Sequence, residues 1–204
     1  MSKYLITQSL LSAWNYVHTC WEGNEDDAMA SFLAALRREK TPPTDAILEG
    51  IEFETEVYAA ASGQNRPPHP KWESGIRLVS DMLKGAQFQV RVYREIEVCG
   101  MTFLVYGILD AIHAGTIFDV KYKTKSFGSL DLAGAYFDSP QHPFYFYLVP
   151  EAREFLYLVS DGNDLYIERY TPDETVTAES LIADFIQFLS AANLLDEYKE
   201  HWAA

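Results

Sequence analysis

The chain has 204 residues, 48% of them hydrophobic and 14% aromatic, and a formal net charge of −14. That length and apolar content suit one folded domain over 1–204 with a sizeable core, and they exclude a disordered chain. The longest clean apolar run, Phe144 to Val149, is far too short to span a bilayer. The start, MSKYLITQSLLSAWNYV, lacks the basic residues and small-residue cleavage site of a signal peptide. A cytoplasmic protein without a membrane partner is therefore expected, and the start reads as the first helix.

Cys20 and Cys99 are too few for a four-thiolate cluster or zinc site. In a reducing compartment they read as two buried thiols rather than a disulfide. The negative charge argues against a globally basic nucleic-acid binder. The acids are concentrated, however, in Glu22 to Asp27, Asp45 to Glu56 and the tail after Tyr170. Bases gather elsewhere, at Arg37, Arg38 and Lys40, at Lys84, Arg91 and Arg94, and at Lys121, Lys123 and Lys125. A local basic groove is compatible with that distribution.

In chain order, Thr7 is a candidate N-cap ahead of helical apolar spacing at Leu10, Leu11, Trp14 and Val17. A second helix is predicted over 26–40, stopped by Pro42-Pro43, and a third from Thr44 or Asp45 to about Ser62. The Gly- and Pro-rich segment 63–70 is a loop, and 71–85 a fourth helix. Alternation over 88–98 predicts a strand, turned at Cys99-Gly100 into a partner over 102–112. Ala114-Gly115 leads into a third strand, 116–123. A helix-rich segment over 130–149 precedes strands 154–160 and 165–170, joined by the hairpin turn Asp161-Gly162-Asn163. A final amphipathic helix covers 178–198. The order predicts an α/β (α+β) fold, a central mixed sheet of about five strands flanked by helices.

The chemistry concentrates in Gly107-Ile-Leu-Asp110 and Ile117-Phe-Asp119-Val-Lys121. Asp119 and Lys121 are two apart on one strand, so they share a face. The hairpin length brings Asp110 beside Asp119. Two such carboxylates repel unless a cation lies between them, and Mg²⁺ or Mn²⁺ takes oxygen ligands of this kind. A neighbouring lysine stabilises negative charge on a phosphate or orients a water. The plainer alternative is a solvated Asp–Lys pair on a strand.

These residues resemble the PD-(D/E)XK nucleases, in particular the RecB-type and phage lambda exonuclease-like branch. That branch pairs a Gly-x-x-Asp strand with an apolar strand ending in (Asp/Glu)-x-Lys, here Gly107, Asp110, Asp119 and Lys121. Gly50-Ile-Glu-Phe-Glu54 resembles its upstream helical acid or His, and Gln141-His-Pro-Phe-Tyr145 its Gln-x-x-x-Tyr. The resemblance spans about 5–147 and implies a restriction-endonuclease-like core. It implies Mg²⁺ or Mn²⁺ on Glu54, Asp110, Asp119 and the Val120 carbonyl, with Lys121, Gln141 and Tyr145 assisting. DNA is the implied substrate, and products would carry a 5′-phosphate and a 3′-hydroxyl. The resemblance also suggests exonuclease action in phage or prophage recombination or repair, a homo-oligomer around DNA and a single-strand annealing partner. The rival class is a nuclease fold kept for binding, or an acidic mimic of DNA.

Other residues read two ways. Glu52 competes with Glu54 from another helix face. Lys123 and Lys125 read as phosphate contacts or a solubilising strand end. Gln8 and Ser9 line a channel or only cap a helix, and His113 supports Asp110 or ends a strand. His69 reads as solvated, Phe144 and Phe146 as core, and all four tryptophans as packing.

Overall fold

The computed structural model describes residues 3–67, 69–129 and 132–204. The fold is mixed α/β. Among the described residues, seven α-helices flank a six-stranded sheet. No helix there is long and apolar enough to cross a membrane.

The chain opens with a strand, β1 (Lys3–Thr7), rather than a helix. β1 lies parallel to β3 (Met101–His113), from Lys3 opposite Thr102 to Thr7 opposite Tyr106. It is also tied to the C-terminal residues, since the Leu5 amide donates to the Trp202 carbonyl at 2.7 Å and the Ala204 amide to the Lys3 carbonyl at 2.9 Å. Thr7 then serves as N-cap of α1 (Gln8–Thr19), its Oγ1 accepting from the Leu10 amide at 3.4 Å. With α2 (Glu25–Leu36), this helix packs into the larger core around Leu10, Leu11, Trp14 and Phe32.

Thr44 caps α3 (Asp45–Ala61) in the same way, accepting from Ile47 at 3.3 Å. α3 and α4 (Glu73–Met82) form the second core, where Phe53, Val57, Trp72 and Val79 meet Phe118, Val120, Leu156 and Leu158 of the sheet. The opposite alternation on the same strands, Ile117, Phe155, Tyr157 and Val159, belongs to the larger core. Period-two alternation thus places one helical layer against each set of side chains.

β2 (Gln87–Val98) runs antiparallel along one edge of β3, with the rung between Gln89 and Asp110 skipped and Gln89 at φ +53°. The other edge of β3 is shared. β1 holds it up to Tyr106, and β4 (Thr116–Tyr122) holds it only from Ala111 to His113. The sheet therefore forks beside 107–110. β4 continues parallel to β5 (Glu154–Ser160), which pairs antiparallel with β6 (Leu165–Tyr170) across the expected Asp161–Asn163 turn.

Several expectations need correction. The helix-rich segment 130–149 contains α5 (Gln141–Leu148), preceded by turns and a 3₁₀ turn at Phe127–Ser129, while positions 130 and 131 lie outside the described residues. The final helix is divided into α6 (Ala178–Ala191) and α7 (Leu195–His201). Asn193 at φ +58° breaks it, a conformation that asparagine tolerates at a helix C-terminus. The cysteines are free but not buried: Cys20 is half-buried and Cys99 exposed on a turn. Trp14, Trp72 and Trp202 pack inside, but Trp21 is 76% exposed and does not.

Candidate active site

Asp110, Asp119, Lys121, Gln141 and Tyr145 lie at the fork. Continuing the β3–β4 register past Ala111 opposite Phe118 would bring Asp110 opposite Asp119. The strands part there, and the Asp110 side chain takes over the unpaired edge, its Oδ2 accepting from the Val120 amide at 3.2 Å. Asp119 is 2% exposed. Its Oδ1 accepts a short hydrogen bond from Gln141 Nε2. Its Oδ2 has the Lys121 ammonium at 2.6 Å, but no hydrogen bond of regular geometry.

Burial pushes the Asp110 carboxyl well above the usual carboxylate range. The charges of Asp119 and then Glu54 add to this, against Lys121 and the Val120 amide. Burial alone would lower the Lys121 pKa. The close Asp119 carboxylate, followed by Asp110 and Tyr136, reverses that and raises it, so Lys121 is a cation paired with Asp119.

Glu54, one α-helical turn before Tyr58, accepts from its hydroxyl at 2.6 Å. Burial raises the Tyr58 pKa first, followed by Asp110 and Glu54. Glu54 also adds its charge to those felt by Asp110. Among the described residues, no three of His, Cys, Asp and Glu are gathered closely enough to hold a metal. The fold thus brings Asp119 and Lys121 into contact, sets Asp110 near enough to feel both charges, and leaves Glu54 as a further charged neighbour.

Even so, the donors suit a hard divalent cation. Asp110 and the buried Asp119 repel each other, and Asp119 Oδ2 is a buried oxygen with the Lys121 ammonium beside it but no hydrogen bond of regular geometry.

Gln141 opens α5, and Tyr145 follows one turn later. Pro143 stands in the first turn, where its missing amide hydrogen costs nothing. Tyr145 Oη donates to the Ile108 carbonyl at 2.7 Å, filling the gap that the fork leaves. Its ring explains Gly107, where a Cβ would lie 2.6 Å from Tyr145 Cε1. Burial raises the Tyr145 pKa, with Asp110 and Asp119 adding.

The remaining candidates separate. Glu52 faces His69 at 3.7 Å. His69 is not simply solvated, because it stacks on Trp72 at 4.3 Å between centroids. His113 lies against Gly85 at the far end of the hairpin. Gln8 binds Ser12 at 2.7 Å, and Ser9 lies 3.1 Å from the Thr7 cap. β4 ends at Tyr122, so Lys125 lies beyond it, while Lys123 Nζ stands 5.6 Å from the Tyr136 ring centroid. Phe144 and Phe146 are core, as expected.

Two tyrosines at this site had no predicted role. Tyr58 had a readable signal in its i, i+4 spacing from Glu54. Tyr136 had none, since it reaches the site through a turn. Its Oη is buried without a hydrogen-bond partner, and burial, offset by Lys121, pushes its pKa up to about 12.

No protein-family model matches the chain, and no curated protein matches it in sequence. Among solved structures, the crystal structure of SSO0001 is similar at a TM-score of 0.54 and 15% identity, covering 95% of this chain and 78% of that one. LHK-Exo in complex with dAMP has a TM-score of 0.47 at 15% identity, covering 96% of this chain and 90% of that one. Rai1 of Scheffersomyces stipitis has a TM-score of 0.41 at 11% identity, covering 94% and 62% respectively. The likeness to SSO0001 is one of fold.

Proposed function

We propose that this chain hydrolyses DNA phosphodiester bonds with Mg²⁺ or Mn²⁺. The observation that supports the reading is the Asp110–Asp119 pair at the fork, with Lys121 on one carboxylate and Gln141 on the same group. Asp110 and Asp119 would hold the cation, helped by Glu54 and the Val120 carbonyl. Such an ion supplies counter-charge, polarises a phosphate and lowers the pKa of a bound water.

The chain's own residues supply the rest. Lys121 places positive charge toward the phosphate and orients the attacking water. Gln141 fixes the Asp119 carboxylate in rotation, leaving Oδ2 to face the site. Tyr145 locks α5 against the backbone that carries Asp110. Exonuclease action in phage-type recombination or repair, 5′-phosphate products, an oligomer around DNA and an annealing partner are the finer reading. That finer reading rests on the motif resemblance alone.

A second reading is an inactive nuclease fold or an acidic mimic of DNA, favoured by the net charge of −14. A mimic has no use for a lysine paired at 2.6 Å with the buried Asp119 beside a second carboxylate. Linear DNA incubated with Mg²⁺ or Mn²⁺ decides between them. Metal-dependent degradation that Lys121→Ala abolishes supports the nuclease, whereas inertness with every metal supports the mimic.

A further inference from the structure

A buried hydroxyl without a partner calls for an explanation, and that of Tyr136 stands in a tightly ordered setting. Tyr157 is the register partner of Asp119 on the neighbouring strand. The Tyr136 ring stacks on Tyr157 at 4.2 Å and 14°. On its other side Lys123 Nζ is 5.6 Å from the ring centroid, and Lys123 follows Lys121 by two residues. The Tyr136 amide donates to Glu168 Oε1 at 3.1 Å, and that carboxylate is itself buried and held by Tyr170. The ring and amide of Tyr136 are thus held, while its buried hydroxyl has no hydrogen-bond partner and feels the charges of Lys121, Asp119 and Glu168.

Lys121 has a complementary problem. Its ammonium sits 2.6 Å from Asp119 Oδ2, the oxygen that a cation would take. A cation and an ammonium compete for that atom, and the flexible four-carbon stem of lysine allows the ammonium to move. We propose that Tyr136 is a positioning residue whose hydroxyl is the second seat of the Lys121 ammonium, taken when a divalent cation claims Asp119 Oδ2. The inference rests on the metal-binding part of the proposed function. It adds that Lys121 is repositioned rather than released, so its charge stays at the site when metal enters.

The test is a double-mutant cycle on Mn²⁺ affinity, measured by calorimetry without DNA. Tyr136→Phe keeps the ring stack and the amide bond to Glu168 and removes only the seat. Its Kd for Mn²⁺ is expected to rise about tenfold, the scale of one hydrogen bond to a charged group. In the Lys121→Met background the same substitution is expected to change nothing. Equal affinity of wild type and Tyr136→Phe overturns the inference, as does an equal loss in both backgrounds. A wild type that binds no Mn²⁺ overturns the metal reading and this inference together, so the two failures are distinct. Should Tyr136→Phe fail to fold, wild-type NMR decides. A contact between the Lys121 ε-methylene and the Tyr136 ring that strengthens on adding Mg²⁺ supports the second seat, and an unchanged contact overturns it.

Discussion

The Asp110 carboxylate accepts a 3.2 Å hydrogen bond from the Val120 amide across the point where β3 and β4 separate. One side chain thereby substitutes for a missing rung of the sheet, and it stands within reach of the charge of a buried acid, Asp119. Nearby like charge and burial both disfavour the ionised pair. The metal-free fold therefore carries a local electrostatic cost. Replacing Asp110 by Asn keeps an oxygen for the Val120 amide and removes one charge. The metal-free Asp110→Asn protein is expected to be more stable at pH 7 by about 1–2 kcal/mol, the usual exchange of stability for function at such sites. Thermal melts with and without Mg²⁺ check this. The variant should melt higher without metal and gain less from Mg²⁺ than wild type does.

Gln141 is a donor to Asp119 Oδ1 and is itself buried. Without it, the carboxylate can rotate and one buried oxygen loses its partner. Partners of metal-ligating groups typically cost 10–100-fold in affinity or activity when removed. Gln141→Ala is expected to weaken Mn²⁺ binding by about tenfold and to slow DNA cleavage by at least as much. An unchanged Mn²⁺ titration curve would remove Gln141 from the site.

How much of this was legible depended on how local each feature is. That Asp110 and Asp119 come near each other follows from a short hairpin whose register is set by its turn, so spacing alone predicts it. Gln141 and Tyr145 share a helix face for the same local reason. β1 was not legible. Five residues give little alternation, and Thr7, which ends the strand, is also the N-cap that signals a helix. Its strand state comes from partners about a hundred residues away at Thr102–Tyr106 and from the C-terminal residues. The approach of Glu54 depends on how α3 seats on the sheet through Phe53 and Val57, which no spacing encodes. The position of Tyr136 is likewise set by Glu168 and Tyr157, far along the chain.

Gly107 tests the steric side of the motif. A Cβ there would fall 2.6 Å from Tyr145 Cε1 and 3.1 Å from Leu148 Cδ1. Tyr145 cannot simply swing away, because its hydroxyl is fixed to the Ile108 carbonyl. Gly107→Ala should push α5 off the fork, with an overpacking cost of about 1–3 kcal/mol. Urea unfolding measures that cost. Cleavage should fall further than stability alone explains, because Gln141 moves with the same helix. A fully stable and fully active Gly107→Ala protein would show that the close approach has no consequence.

His142 gives a pH dependence separate from the carboxylates. Its ring stacks on Tyr170 at 4.1 Å and its Nδ1 lies 3.0 Å from the Tyr157 hydroxyl, in a position 2% exposed. Burial pushes its pKa down from 6.5 to about 4. The unfolded chain therefore takes up the proton first as pH falls. The stabilising effect of a neutral, buried ring is complete above pH 6.5, declines between 6.5 and about 4, and is lost below that. The depression corresponds to about 3 kcal/mol at most. His142→Phe retains a ring against Tyr170 but cannot be protonated. Its urea midpoint should start lower at pH 7, since Tyr157 loses a partner, and then fall less steeply than wild type between pH 6.5 and 4. Parallel curves for the two proteins across that range would mean that the acid sensitivity of the fold originates elsewhere than in this ring.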